Sequence, residues 1–154
     1  MVADGVDGAA ARALHDGLSK QGAVPRYIGP RLGAARTEAG DALEVEVTLE
    51  TMPSVLFDAL AVPGGKEAVT ILGNVGQALE FIKEQYRHAK AILALGEGAD
   101  LVENAGVPSR LPTGEADPGV LIGRRAVGSE LVGKFSAAVA RHRHHEREMD
   151  PPEL

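Results

Sequence analysis

Lys90-Ala91-Ile92-Leu93-Ala94-Leu95-Gly96-Glu97-Gly98-Ala99-Asp100 is an uninterrupted apolar run that closes in Gly-Glu-Gly. A short run of Ala, Ile and Leu between turn signals reads as a strand buried on both faces, the kind a parallel sheet under helices requires. Ala99 to Gly106 then reads as a short helix stopped by a glycine. A buried strand turning sharply into a helix is where many α/β enzymes mount a nucleophile, because the turn exposes one side chain and the helix start favours negative charge. Here that turn presents Gly96.

Working outward, Met1-Val2-Ala3 reads as the end of a strand and Asp7 as the N-cap of a helix from about Gly8 to Lys20, with Ala10, Leu14 and Leu18 on one face. Three residues fall short of the usual five or so for a strand, which points to a chain cut from something longer. Val24 to Ile28 reads as an edge or strand-start segment because of Pro25. Leu43 to Leu49 alternates without error, as one peripheral or antiparallel strand does. Leu56 to Val62 reads as a strand stopped by Pro63-Gly64-Gly65. Val75, Ala78, Leu79, Ile82 and Tyr86 recur at helical spacing. Gly119 to Gly123 reads as a last short buried strand. Ser129 is expected to cap a final helix whose face carries Leu131, Val132, Phe135, Ala138, Val139 and His142. The pattern predicts an α/β fold, a flavodoxin-like three-layer sandwich whose mostly parallel sheet carries helices on both faces. Residues 1–147 form the expected domain and 148–154 a disordered tail.

The composition narrows the chemistry. With 154 residues, 44% of them hydrophobic, there is material for one core and no second domain of similar size. The chain has no cysteine, which removes thiolate catalysis, disulfides and cysteine metal sites. A net charge of −6 offers nucleic acid and anionic lipid no general attraction, so neither is an expected partner. No apolar run reaches the roughly 20 residues of a membrane span, and Met1 to Gly5 is no signal peptide, so a cytoplasmic location is expected.

Several stretches together carry a resemblance. Phe57-Asp58-Ala59-Leu60-Ala61-Val62-Pro63-Gly64-Gly65 resembles the ThiJ/PfpI branch of the class I glutamine amidotransferase-like superfamily. A closer resemblance is to the C-terminal domain of large-subunit haem catalases. It rests on Val2 to Gly8, Ile28-Gly29-Pro30-Arg31-Leu32-Gly33, Pro53 to Ala59, Ala89-Lys90-Ala91-Ile92 and Ala140-Arg141-His142-Arg143-His144. The active ThiJ/PfpI branch keeps a cysteine at the elbow, where this chain has Gly96. Its carboxylate position matches Ala10, or Asp7 by a shifted alignment, and its histidine has no counterpart between Gly106 and Pro118. With those three roles vacant, Gly96, Glu97, Gly64, Gly65, Asp7 and Ala10 are read as a vestigial elbow and crevice with no catalytic residue, and Gly96 as relief of elbow strain once the nucleophile was lost.

The resemblance implies a parent that dismutates hydrogen peroxide, with haem in a separate core. This chain then needs no cofactor and serves as a structural or interaction domain. Its implied partners are that core and neighbouring subunits of a homo-oligomer, with chaperone-like binding in the same class. Two other classes stay open: a cysteine-independent hydrolase or lyase using Glu97, and a small-ligand sensor at the Gly96-Glu97 crevice. Against the first, Glu97 also reads as a partly solvated helix-start carboxylate. His142, His144 and His145 with Glu146 are of metal-ligating type, but neighbouring residues point to different faces, so no metal is expected. His15 and His88 read as surface residues. A Gly-x-Gly-x-x-Gly fingerprint is absent after any strand, and acidic Asp4 to Gly8 would repel a flavin phosphate.

Overall fold

The computed structural model describes residues 1–148. In chain order the elements are α1 (Gly8–Lys20), β1 (Ile28–Gly29), β2 (Gly33–Arg36), β3 (Ala42–Val45), β4 (Val47–Thr48), β5 (Ala59–Val62), α2 (Lys66–Gly73), α3 (Gly76–Arg87), β6 (Ala91–Leu95), α4 (Gly98–Asn104), β7 (Val120–Gly123) and α5 (Ser129–Ala140), with 3₁₀ turns at Ser54–Leu56 and His145–Arg147. The parallel ladder β5-β6-β7 has the register Leu60 to Ile92 and Leu93 to Leu121. β1 and β4 pair in parallel beside it.

Met1 to Ala3 joins these two pieces. The Met1 nitrogen donates to the Ala61 carbonyl at 2.7 Å, and the Val2 amide donates to Ile28 at 2.8 Å. The first segment therefore lies between β1 and β5, extended and bonded on both sides.

All five residues of β6 are buried, as its apolar run requires. Ile92 and Ala94 belong to the core layer under α2, α3 and α4, while Ala91, Leu93 and Leu95 belong to the layer under α1 and α5. This period-two division is what a strand between two helical layers produces. Asp7 caps α1 by accepting the Ala10 amide at 3.0 Å. Ala78, Phe81, Ile82, Gln85 and Tyr86 make the buried stripe of α3.

The structure departs from the sequence pattern in several places. The alternating run from Leu43 breaks at Glu46, where the amides of Glu46 and Val47 both donate to the Tyr27 carbonyl, at 2.9 and 3.3 Å. The Glu46 carboxylate also accepts the Tyr27 amide, at 2.9 Å. One run thus serves two sheets: β3 pairs antiparallel with β2, and β4 pairs with β1. Helix α2 follows directly on Gly65, burying Ala68 and Leu72. β7 is an edge strand rather than a buried one, with Ile122 56% exposed. Gly128, not Ser129, is the N-cap of α5, and no side chain caps it. His142 lies past the end of α5 at φ +66° and shares no face with it. Of the expected tail, Glu148 follows the last turn with its amide on His145, and residues 149–154 lie outside the described residues.

Candidate functional site

The two ends of β6 carry different polar centres. At its C-terminal end the chain turns into α4 through Gly96 and Glu97. Gly96 has φ +50°, in the left-handed region that a residue with a side chain enters only at a cost. A Cβ placed there would stand 2.5 Å from Cγ of Arg125, so the stem of that arginine covers the apex of the elbow.

Arg125 follows β7 and reaches back across the strand ends. Its Nε donates to Oδ2 of Asp7 at 3.1 Å and lies 3.6 Å from Oε2 of Glu97, while a terminal nitrogen donates to Glu38. Glu38 arrives on the turn between β2 and β3. That turn is tied to the first loop by the Glu38 amide on Val6 at 2.9 Å and the Gly5 amide on Arg36 at 2.7 Å. The Glu38 hydrogen bond, ahead of the charges of Glu38, Asp7 and Glu97, raises the guanidinium pKa further.

Glu97 turns toward the Pro63-Gly64-Gly65 turn. Its Oε2 accepts the Gly65 amide at 3.2 Å and would stand 2.8 Å from a Cβ on Gly64. Gly65 has φ +117°, and a side chain there would run into the Gly5 carbonyl oxygen, so only glycine lets the first loop and this turn approach. The approach is sealed by the Asp7 amide donating to Gly64 at 2.9 Å. Hydrogen bonds from its own backbone and from Gly65, then the charges of Arg125 and Lys66, hold the Glu97 carboxyl below the usual glutamate range. A carboxylate held ionised is a weak proton acceptor near neutrality.

The structure thus gathers Asp7, Gly64, Gly65 and Gly96 around Glu97 and Arg125, and beside them Glu97 and Arg125 line a crevice of about 420 Å³ together with Gly5, Glu38, Lys66 and Glu67. Ala10 stands apart. Its amide caps onto Asp7, but its side chain is buried in the layer beneath α5. The sequence pattern does not single out Arg125 or Glu38. Arg125 had one signal, a basic pair just past a strand end, where open α/β sheets gather their functional loops. Glu38 had none, since a hairpin delivers it.

At the N-terminal end of β6, Lys90 is buried with its ammonium on three carbonyls, those of Ser54 (2.9 Å), Val55 (3.2 Å) and Phe57 (2.6 Å). Burial lowers its pKa. Beside it Arg147 makes a two-point contact with Asp117 at 2.5 and 3.0 Å, with side-chain exposures of 2% and 0%. Arg147 also donates to the Lys90 carbonyl at 2.7 Å and lies 4.6 Å over the Tyr86 ring. His144 is wholly buried, its Nε2 3.1 Å from the Ala138 carbonyl, and burial lowers its pKa. These contacts pin the end of the chain onto the sheet.

The histidines diverge. His144 points inward, His145 meets Glu148 at 2.7 Å, and His142 ends the helix. His15 stacks on Tyr27 at 5.1 Å and is half-buried rather than a surface residue, whereas exposed His88 faces Glu84 at 3.0 Å. Among the described residues no group of three or more His, Asp or Glu side chains could hold a metal ion. No helix among them is long and apolar enough to cross a membrane.

Comparison with known proteins places this geometry. The family model of the C-terminal domain found in long catalases matches residues 1–149. Catalase-1 of Neurospora crassa is 33% identical over 170 residues, spanning 97% of this chain and 23% of that protein. Catalase HPII of Mycobacterium avium is 34% identical over 157 residues, spanning 97% and 22%. The chain therefore spans less than a quarter of the length of these relatives. Among solved structures, a two-domain protein from Anabaena variabilis with DJ-1/ThiJ/PfpI-like and ferritin-like domains superposes with a TM-score of 0.75 at 16% identity, covering 91% of this chain and 48% of that one. Oxidized DJ-1 of Toxoplasma gondii gives 0.74 at 12% identity, covering 96% and 91%. At such identities the likeness is one of fold: the flavodoxin-like α/β sandwich of the DJ-1/ThiJ/PfpI proteins.

Proposed function

Because this chain belongs to the family of C-terminal domains found in long catalases, we propose that it is a non-catalytic structural domain of a cytoplasmic catalase, whose own activity is hydrogen peroxide dismutation. It packs on the haem-bearing core and on neighbouring subunits of a homo-oligomer, and stabilises that assembly. Haem belongs to the core. The crevice at the elbow offers Glu38, Lys66, Glu67, Glu97 and Arg125, none of a type that ligates haem iron, so the residues present do not fit that group.

The observation that carries this reading is the elbow. The residue at its apex has no side chain, the Arg125 stem covers it, and Asp7, Glu38 and Glu97 are spent as ion-pair partners of that arginine. Nucleophilic catalysis needs a positioned nucleophile beside a free base, and the lining of the crevice holds no hydroxyl, thiol or imidazole, while its Glu38 and Glu97 carboxylates face Arg125. A hydrolase using Glu97 alone would need a carboxylate free to take a proton, whereas Glu97 is hydrogen-bonded in its ionised form.

Two measurements test it. The complete reading frame is expected to carry a haem-catalase core ahead of these residues; a frame of its own, with its own promoter and no core, overturns the reading. Deleting residues 1–154 from that parent should lower the thermal stability of the oligomer while haem turnover per intact subunit persists. An unchanged melting temperature contradicts the structural role.

A further inference from the structure

The start of β7 is notched to receive the chain that follows α5. A Cβ on Gly119 would run into the His144 ring and a terminal nitrogen of Arg147, so only glycine lets residues 144–147 lie this close. The segment is bonded there on three sides. The His144 amide donates to the Ala89 carbonyl at 2.7 Å, Arg147 holds Asp117 and the Lys90 carbonyl, and Nε2 of His144 lies 3.1 Å from the Ala138 carbonyl. His144 and Arg147 are both buried as a result.

One atom of this arrangement is unanswered. The Ala138 carbonyl only accepts, so Nε2 carries the ring hydrogen and Nδ1 is left with its lone pair. Nδ1 is buried and has no hydrogen-bond partner among the described residues. A proton arriving there would make a buried imidazolium with one N–H unpaired, a state far costlier inside a protein than in water. The surrounding charges do not offset that cost. Arg147 and Arg141 repel the added charge, Glu146 is held by Arg141 at 2.6 Å, and Asp117, which attracts it, is engaged by Arg147 on both oxygens. On the side of α3 and β6, Tyr86 lies under Arg147, Lys90 has its ammonium on the 54–57 carbonyls, and Arg143 adds positive charge near Lys90.

We propose that this segment is an acid-opened latch: a proton bound at Nδ1 of His144 drives residues 142–148 off the starts of β6 and β7. Once the segment lifts, the imidazolium, Arg147 and Asp117 all return to water, so opening relieves the unpaired N–H without stranding a buried charge. Burial lowers the pKa of His144 in the shut form, so opening sets in as the pH falls below about 6.5, where the solvated ring takes up its proton. Above that the shut form is favoured. Opening uncovers Gly119 and Asp117, while β6 keeps its ladders to β5 and β7. The inference rests on the packing around His144 and stands apart from the catalase reading.

The test is amide hydrogen exchange of the 154-residue chain, followed residue by residue by NMR and corrected for the intrinsic pH dependence of exchange. Between about pH 7.5 and about pH 5, the opening that exposes the His144 and Arg147 amides should grow on the order of thirtyfold, the ratio for an imidazole of pKa about 6.5 that titrates only in the open form. Leu93 and Leu95 in β6 should keep their protection. His144→Gln retains a donor for the Ala138 carbonyl and takes up no proton, so its opening should be the same at both pH values. Gly119→Ala wedges the segment off its seat and should expose it at both, with β6 still protected. A segment as protected in acid as at neutrality, acid opening that persists in His144→Gln, a Gly119→Ala segment that stays shut, or a loss of protection that β6 shares in step each overturns the proposal.

Discussion

Cγ of Arg125 lies 2.5 Å from the point where a side chain on Gly96 would begin. The two residues are therefore coupled: one has no side chain, and the stem of the other takes up the space. Gly96→Ala must adopt φ near +50° with a Cβ, costing roughly 1–2 kcal/mol, and must also displace Arg125. In Arg125→Ala the second cost disappears. Urea unfolding of both single variants and the double variant should give a double variant less destabilised than the sum of the singles. Additive losses would mean that Arg125 does not cover the elbow.

The Arg147–Asp117 pair is almost fully buried, so its two halves are worth little apart. Arg147→Met strands the Asp117 carboxylate and leaves the Lys90 carbonyl without its donor. A loss of about 3–5 kcal/mol is expected. The double variant Arg147→Met with Asp117→Leu should recover a good part of it, as read from chemical denaturation.

Lys90 anchors the 54–57 turn through three carbonyl oxygens. Lys90→Met keeps the apolar stem and removes every donor. The Ser54 carbonyl keeps the Gln85 amide at 2.7 Å, so the loss falls on the Val55 and Phe57 carbonyls, at about 1–3 kcal/mol for each that stays dry. Hydrogen exchange should show the Ser54–Leu56 turn opening first, ahead of β6.

His144 sets an acid limit. Its pKa in the folded chain is lowered from the ordinary 6.5, first by burial, and the nearby Arg147 and Arg141 charges add to the shift. The unfolded chain therefore binds a proton that the folded chain refuses. The stability linked to His144 is present in full above about pH 6.5 and declines as pH falls below it. Replacing it by Gln should flatten the stability profile between neutrality and mild acid. A profile unchanged by that substitution would show that His144 does not report on folding.

Much of this fold was legible because single physical rules governed long stretches. The buried run at β6, the Asp7 cap and the stripe of α3 each follow from one pattern. Helix α2 escaped because it starts directly on Gly65, with no capping side chain and only eight residues. The run from Leu43 misled because alternation does not reveal that a strand changes partner, which Glu46 forces by holding Tyr27. At the elbow, Gly96 and Glu97 could be found from the strand-to-helix turn. Arg125 and Glu38 are brought there by β7 and the β2-β3 hairpin, and long-range delivery leaves no local mark. Arg147 stands at the expected end of the domain with no local mark of burial, yet it is buried by a partner 30 positions earlier.

The central claim is that the crevice performs no chemistry of its own. It is tested most directly by steady-state assay of the purified chain against a panel of esters, amides and glyoxals, alongside Glu97→Gln. Both proteins should stay at the uncatalysed background rate. Turnover by the unaltered chain that disappears in Glu97→Gln would contradict it.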